Sequence, residues 1–357
     1  MKSQIIDKNI LSVTIAMVSY NDERIIYDCL DSIFSQDYPK EKLYVLLVDG
    51  GSTDNTLQIA SNFGAKIISR PDLRDDPSTR SVIAATTPET DIFVAFSADN
   101  RFQEKDCLRK LVEPFSAPEV VASETFRYGF KKSDPVLSRY LALIGCSDPI
   151  AIGLGKADRA PHDAKDWHSF GEYTDMGDYF KVKFSTDISK IPTIGANGCA
   201  YRKELLDKFG VENAGHTDLC VKLIRGGYSM FAFVKERHII HYIDLPMIKF
   251  FKRRLFLAEA YSPAKIKRIY YPFTLKDLPK LAFLILINLT FLIPFMRAIR
   301  GFLAKPDPAW FLHPLACFVY TVGYGYFYTR RLIKNLLEIP KGYPRRCSRS
   351  RNIIEEE

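Results

Sequence analysis

Between Val13 and Ser69 the chain twice passes from a short, almost wholly apolar run to a stretch whose apolar residues recur at helical spacing, and back again. The runs VTIAMVSY, LYVLLVDG and AKIIS are separated by DERIIYDCLDSIFSQ and TLQIASNFG. That order is β-α-β-α-β, and strands apolar on both faces call for a parallel sheet covered by helices on both sides. Asp22 and Asp54 stand where the N-caps of the two helices belong. A fourth apolar run, DIFVAFSADN, and a helix-like stretch, EKDCLRKLVEPF, extend the alternation. Residues 10–115 therefore read as the nucleotide-binding half of an α/β, doubly wound, mostly parallel, Rossmann-like sheet, with its ligand at the carboxyl ends of the strands.

Composition narrows the partners. With 47% hydrophobic and 26% charged residues in 357, the chain is a folded protein large enough for one sizeable domain and an appendage. The formal charge of +8 concentrates between Lys249 and Lys280 and again after Arg330, not along one reading helix, so no nucleic-acid partner is expected. Seven scattered cysteines without a C-x-x-C pair suggest neither zinc nor a disulfide framework, and point to a reducing compartment. The first residues, MKSQIIDKNILSV, lack the apolar core of a signal peptide, which puts the expected catalytic part on the cytoplasmic side.

Beyond residue 115 the signal weakens. Loops and short helices are expected between Ala122 and Pro192; then GCAYRKELLDKFG reads as a helix, and TDLCVKLIRGGYSMFAFV as a helix stopped by Gly226 and Gly227 before a strand. Residues 116–245 complete the first domain as an acceptor half, so that residues 1–245 form the catalytic domain. Residues 246–280 include IKFFKRRLFLAEAY, aromatic and basic as a helix at a membrane surface would be. Residues 281–330 hold LAFLILINLTFLIPFM and AWFLHPLACFVYTVGYGYFYT, of 16 and 21 uncharged residues. The second is long enough to cross a bilayer, while the first is marginal and contains Asn288 and Pro294. A membrane-associated C-terminal helical hairpin is expected, spanning or re-entrant, with a basic cytoplasmic tail at 331–357; core helices of a soluble protein are the alternative.

At the ends of the expected parallel strands lie Ser19, Tyr20, Asn21, Asp22 and Glu23; Asp49, Gly50, Gly51 and Ser52; and Ser97, Ala98, Asp99 and Asn100. Asp49 suits a base or ribose, the glycines allow close approach to the backbone, and Asp99 is a hard oxygen ligand for a divalent ion bridging phosphates. Asp49 as a turn residue, and Asp99 with Asn100 as a helix cap, are the structural alternatives. The Gly pair lacks a following P-loop Lys and there is no G-x-G-x-x-G, which disfavours P-loop enzymes and dinucleotide dehydrogenases.

The segment VSYNDERIIYDCLDSIFSQDYPKEKLYVLLVDGGSTDNT resembles the opening unit of the family 2 glycosyltransferases, which have the GT-A fold and act with inversion. The resemblance covers residues 10–245. It implies that Tyr20, Glu23 and Asp49, with their neighbours Ser19, Gly51 and Ser52, line a nucleotide-sugar pocket, and that Arg80 lies near the nucleotide. SADN is similar to the metal-binding D-x-D motif with Ser97 in place of the first aspartate, which implies Asp99, beside Asn100, as the ligand of Mn²⁺ or Mg²⁺. His241, in ERHIIHYID, matches a histidine that approaches the metal, and Asn197 with Gly198 matches the segment beside the sugar. Gly215 and His216 replace the acidic pair that supplies the base, leaving His216 or Asp218 for that role.

The resemblance thus implies in-line transfer from a UDP- or GDP-linked sugar to a membrane-associated acceptor, either polyprenyl phosphate or a lipid-linked or cell-surface glycan, with membrane lipid as a further partner. A non-catalytic relative of the same fold, and a nucleotidyltransferase, are the rivals. The second would carry a glycine-rich basic loop after the first strand, which VSYNDER is not.

Overall fold

The computed structural model describes residues 10–164, 171–211, 216–260, 268–271 and 273–337. Its first half alternates as its apolar pattern dictates: β1 (Val13–Ser19), α1 (Glu23–Phe34), β2 (Leu43–Asp49), α2 (Thr56–Asn62), β3 (Lys66–Ser69), α3 (Pro77–Thr86) and β4 (Ile92–Ala95). Strands β3, β2, β1 and β4 lie side by side in that order, all parallel. Side chains of β1 divide between the two faces with a period of two. Val13, Ile15 and Met17 pack with Ile26, Cys29, Leu30 and Ile33 of α1, whereas Ala16 packs on the other side with Ala84 and Ala85 of α3. Both faces are covered, which is why the strand tolerates no polar alternation.

The chain continues through β5 (Asn100–Phe102), α4 (Cys107–Val112), β6 (Val120–Thr125), β7 (Tyr128–Gly129), α5 (Val136–Ile144), α6 (Pro149–Gly153), β8 (Gly171–Asp175), β9 (Tyr179–Phe184), β10 (Cys199–Arg202), α7 (Lys203–Phe209), α8 (His216–Arg225), β11 (Met230–Val234) and β12 (Ile239–His241). The large sheet has nine strands in the order β3-β2-β1-β4-β10-β6-β11-β9-β8, and β5-β12-β7 form a small second sheet. β10 runs antiparallel between β4 and β6 and joins the donor half to the acceptor half. Two expectations are corrected here. The stretch read as loops and short helices does hold two short helices, α5 and α6, but also four strands, and GCAYRKELLDKFG is a strand followed by a helix. Four residues of β10 are too few for a period-two signal beside the helical spacing of α7.

Three helices, not two, close the described chain after α9 (Met247–Ala260): α10 (Leu278–Leu289), α11 (Leu292–Ala304) and α12 (His313–Leu337). The first apolar run breaks at Phe291, whose φ is +59°, and α10 and α11 diverge there by 83°. At about 1.5 Å per residue, neither the 12-residue α10 nor the 13-residue α11 alone reaches across the roughly 30 Å of a hydrocarbon core. Together they qualify as one broken span by length and composition; α5 with α6 also qualifies, but that segment is mostly buried inside the protein. Phe283, Leu286, Leu292, Met296, Leu303 and Tyr326 are all exposed on this helical unit. Arg297 and Arg300 of α11 pair with Asp163 at 3.4 and 2.6 Å, which binds that helix back onto the catalytic half.

Candidate active site

Because β1 is parallel to both β2 and β4, with Ser19 opposite Asp49 and Ala16 opposite Ala95, the carboxyl ends of all three strands open on one edge of the sheet. The polar loops that follow them are tied to one another. Asn21, at φ +54°, accepts from Thr53 N at 2.9 Å and donates its own N–H to Ser52 Oγ at 2.9 Å. Glu23 accepts from the backbone and side-chain nitrogens of Asn55, both at 3.1 Å. Ser19 is buried and donates to Asp22 at 2.7 Å. Burial pushes the Asp22 carboxyl up despite that bond, and the negative charge of Asp99 adds to the rise, so these two loops share one electrostatic environment. Tyr20 leaves its ring 36% exposed at the rim with the Arg74 guanidinium 5.0 Å from its centroid.

Asp49 closes the turn after β2: it is fully buried, and its Oδ2 accepts from Gly51 N at 2.6 Å and Ser52 N at 2.9 Å while Ser52 Oγ donates to Oδ1. The carboxylate thereby fixes the backbone of the loop at this edge of the sheet. Gly51 meets that turn at φ +85°, and a Cβ there would stand 2.8 Å from Pro71. Gly50 admits Arg80, whose Nη1 would lie 2.7 Å from an added Cβ. The Arg80 guanidinium is buried, donates to the carbonyls of Ser19 and Arg74, and leaves Nε without a partner. A cation bonded only to carbonyls below the rim keeps a positive potential there.

Asp99 and His241 come together through the small sheet, in which His241 is registered opposite Asn100 and Tyr242 N donates to Asp99 O at 2.7 Å. His241 Nε2 stands 3.4 Å from Asp99 Oδ2. Burial pushes the Asp99 carboxyl up, but His241 and the Arg253 charge outweigh it and hold the group below the usual carboxylate range. Among the described residues no cluster of three His, Cys, Asp or Glu side chains surrounds this pair. One carboxylate and one imidazole fit an ion that takes its remaining ligands from phosphate oxygens and water.

On the acceptor side Asn197, at φ +51°, accepts from Asn100 Nδ2 at 3.3 Å and donates to the Tyr128 hydroxyl at 2.8 Å. Gly198 follows at φ +86°, and the space of its missing Cβ is filled by Ile239. His216 is exposed at the first position of α8, while Gly215 lies outside the described residues. Asp218 is buried, and its Oδ2 takes two hydrogen bonds from Arg268 at 2.9 and 2.7 Å while Oδ1 takes Ile269 N at 2.8 Å and Tyr270 N at 2.9 Å. The expectation of Asp218 as base is therefore corrected, since a carboxylate with both oxygens occupied by charge-assisted bonds is a clamp.

Sequence reasoning missed a second set of polar groups. Arg159, fully buried, pairs with Glu124 at 2.8 Å and donates to the carbonyls of Ala196 and Asn197 at 3.0 and 3.3 Å. Its guanidinium lies 5.0 Å from the centre of the Tyr128 ring, whose hydroxyl donates to Asp158. Burial pushes the Glu124 carboxyl up to about 7 against the opposing pull of Arg159. The charged cluster Lys156, Asp158 and Arg159 at the end of the apolar, glycine-containing run IAIGLG was the available signal.

A sheet that is parallel from β3 to β4, with a carboxylate–imidazole pair and a buried cation near the carboxyl ends of those strands and a second polar network across from them, has the layout of a GT-A-type glycosyltransferase. The sequence profile of Glycosyl transferase family 2 matches residues 14–210, more than half of the chain, and the chain belongs to that family. Its curated relatives are similar over shorter stretches. A dolichyl N-acetyl-alpha-D-glucosaminyl phosphate 3-beta-D-2,3-diacetamido-2,3-dideoxy-beta-D-glucuronosyltransferase of Methanococcus voltae is 30% identical over 29% of this chain and 33% of its own. The glycosyltransferase AglE of Haloferax volcanii is 37% identical over 21% of this chain and 25% of its own. The chain thus spans a third or less of the length of these relatives. Among solved structures, the mannosyltransferase PcManGT of Pyrobaculum calidifontis, in complex with GDP-Man and Mn²⁺, matches with a TM-score of 0.50 and 17% identity, covering 93% of this chain and 89% of that one. At that identity the likeness is one of fold.

Proposed function

We propose that the protein is an inverting glycosyltransferase that moves a sugar from a UDP- or GDP-linked donor to a membrane-associated acceptor, a polyprenyl phosphate or a lipid-linked or cell-surface glycan. The reading is carried by the convergence of Asp99 with His241 near the sheet edge below which Arg80 holds its charge. Asp99 and His241 are the residues that would hold a divalent ion, Mn²⁺ or Mg²⁺, and such an ion would supply positive charge to offset the diphosphate leaving group. Arg80 adds its potential to that developing charge, Tyr20 offers its exposed ring to the base, and Glu23, Ser19, Gly51, Ser52 and Asn100 keep the loops in place. Asn197 and Gly198 border the sugar and orient it for in-line attack.

The apolar surface of α10, α11 and α12 supports a membrane location, because soluble monomers seldom expose contiguous apolar patches beyond a few hundred Å². Lys276, Lys280, Lys305, Arg330 and Arg331 lie on or next to the same helices, where they meet anionic headgroups on the cytoplasmic side. The test is nucleotide release by the detergent-solubilised protein from UDP- and GDP-sugars, with Mn²⁺, with Mg²⁺ and with chelator. Metal-dependent release from one donor class is expected. Silence with every donor, together with no melting shift on adding UDP or GDP and Mn²⁺, sinks the reading.

A further inference from the structure

Transfer to a hydroxyl would call for a proton acceptor, and the motif offers no free carboxylate for it. Gly215 and His216 stand in place of an acidic pair, and Asp218 is clamped by Arg268 and two backbone N–H groups. The other carboxylates bordering the site are engaged as well. Asp22 accepts from Ser19 and Tyr20 N, Asp99 faces His241, and Glu124 is sealed from solvent against Arg159. Asp158 differs from all of them: it is partly exposed, only its Oδ2 is bonded, by the Tyr128 hydroxyl, and no described residue donates to Oδ1.

Its place in the fold suits the missing role. Tyr128 accepts from Asn197, Asn197 accepts from Asn100, and Asn100 donates to Asp99 at 3.3 Å, so a continuous chain of hydrogen bonds joins Asp158 to the carboxylate of the donor site. The segment that carries Asp158 is also where the sheet meets the apolar helices. Ala160 N donates to Phe126 O at 2.9 Å at the end of β6, while Tyr320 and Tyr324 of α12 donate to Ser147 O at 3.2 Å and Asp148 Oδ2 at 2.7 Å. On the proposed function, an acceptor held at a membrane surface would arrive at that junction. The cations beside Asp158 are already paired: Arg159 bonds Glu124 and carbonyls, and Lys156 bonds the carbonyls of Ser189 and Ile191.

The geometry points to Asp158 as the base of the transfer, and to a hydroxyl, as on a glycan, rather than a phosphate as the attacking group of the acceptor. This rests on the proposed glycosyl transfer and names the substrate class of that site. The acceptor O–H proton passes to Asp158 Oδ1 as the acceptor oxygen bonds to the anomeric carbon. The bond from that carbon to the donor phosphate breaks, and the nucleoside diphosphate leaves with the electron pair. A phosphate acceptor is already ionised, needs no base, and here would face the Asp158 carboxylate, whose neighbouring cation Arg159 attracts it but is already bonded to Glu124 and two carbonyls. Burial also pushes the Asp158 carboxyl up, which makes it a better proton acceptor than an ordinary aspartate.

The test uses the full chain in detergent, with the nucleotide sugar from which it releases nucleotide and with water as the hydroxyl probe. Asp158→Asn is expected to lower kcat about 100- to 10,000-fold while donor KM, the Mn²⁺-dependent affinity for free nucleotide and the melting temperature hold, and Asp158→Glu to recover part of the rate. His216→Ala is expected to stay within about threefold of wild type, a change of less than 1 kcal/mol in the barrier. Polyprenyl monophosphate should not accelerate nucleotide release. A kcat for Asp158→Asn within threefold of wild type, or acceleration by polyprenyl monophosphate that survives the substitution, overturns the inference. Wild-type protein that releases no nucleotide at all counts against the proposed glycosyl transfer instead.

Discussion

The donor rim and the C-terminal helices place their polar and apolar groups in opposite ways. At the rim, buried or half-buried polar side chains bond one another and the loop backbone, as Asp49 does with Gly51 and Ser52, while Val13, Ile15 and Met17 lie inside. In the helices the pattern inverts: Asn288 is buried and donates to Thr321 at 3.0 Å, whereas Leu286 and Leu292 face outward. The difference teaches that one chain carries two kinds of surface, a polar rim tied together by hydrogen bonds and an exposed apolar one, which is what the proposed donor pocket and membrane location would each require. It also separates residues that act on substrate from those that only hold shape, and that separation can be tested.

The largest effect should fall on the rim. Asp99→Ala is expected to reduce metal-dependent turnover about 1,000-fold, roughly 4 kcal/mol of transition-state stabilisation, with little change in melting temperature without metal. Turnover that survives intact would remove Asp99 from the reacting side of the comparison. Asp218→Asn should do the converse. Breaking a buried, charge-assisted clamp costs roughly 3 kcal/mol of stability, read as a fall in denaturation midpoint, while kcat per folded molecule stays within a few fold. A lost kcat with an unchanged midpoint would return Asp218 to the chemistry.

In the helical unit, replacing Leu286, Leu292 and Met296 together by Ser should weaken sedimentation with anionic vesicles by about 30-fold, roughly 2 kcal/mol, without a matching loss of stability. These side chains gain their apolar surroundings only from outside the fold, so a drop in melting temperature in detergent-free buffer would contradict that placement. Gly51→Ala should cost about 1 to 2 kcal/mol of stability, since it meets both a positive φ and Pro71. The smallest change concerns acid. Asp99 is held below the usual carboxylate range by His241 and Arg253 against burial, so its charge stabilises the fold fully above pH about 4 and that contribution is lost as pH falls further. A urea titration between pH 3 and 6 should show a shallower acid limb for Asp99→Asn than for wild type.

The donor half was legible because a strand buried on both faces leaves a mark that needs no partner to be recognised: β1, β2 and β4 are apolar nearly throughout. The acceptor half was not, because its meaning lies in contacts between distant positions. Tyr128 and Asp158 are 30 residues apart, and Asp218 meets Arg268 50 residues away. The edge strand β8 is exposed throughout, β9 beside it alternates lysines with core residues over only six positions, and β10 adjoins a helix with a stronger pattern. An aspartate at a strand end can hold a ligand or its own turn, and the two N–H groups that bond Asp49 became visible only in the fold. The membrane hairpin failed in its count because the break at Phe291 depends on a backbone conformation that composition does not announce.

The clamp at Asp218 has a consequence for distance. Arg268 stands ten residues before Leu278, where α10 begins, and ten residues extend at most about 35 Å. The sheet and the C-terminal helices are therefore held at a set spacing from two sides, by this short connection fastened at one carboxylate and by the pairing of Asp163 with Arg297 and Arg300. On the proposed glycosyl transfer, an acceptor with an apolar tail would have to lift its reactive end no farther than that spacing allows, and residues inserted into the connection would trade reach for positional control.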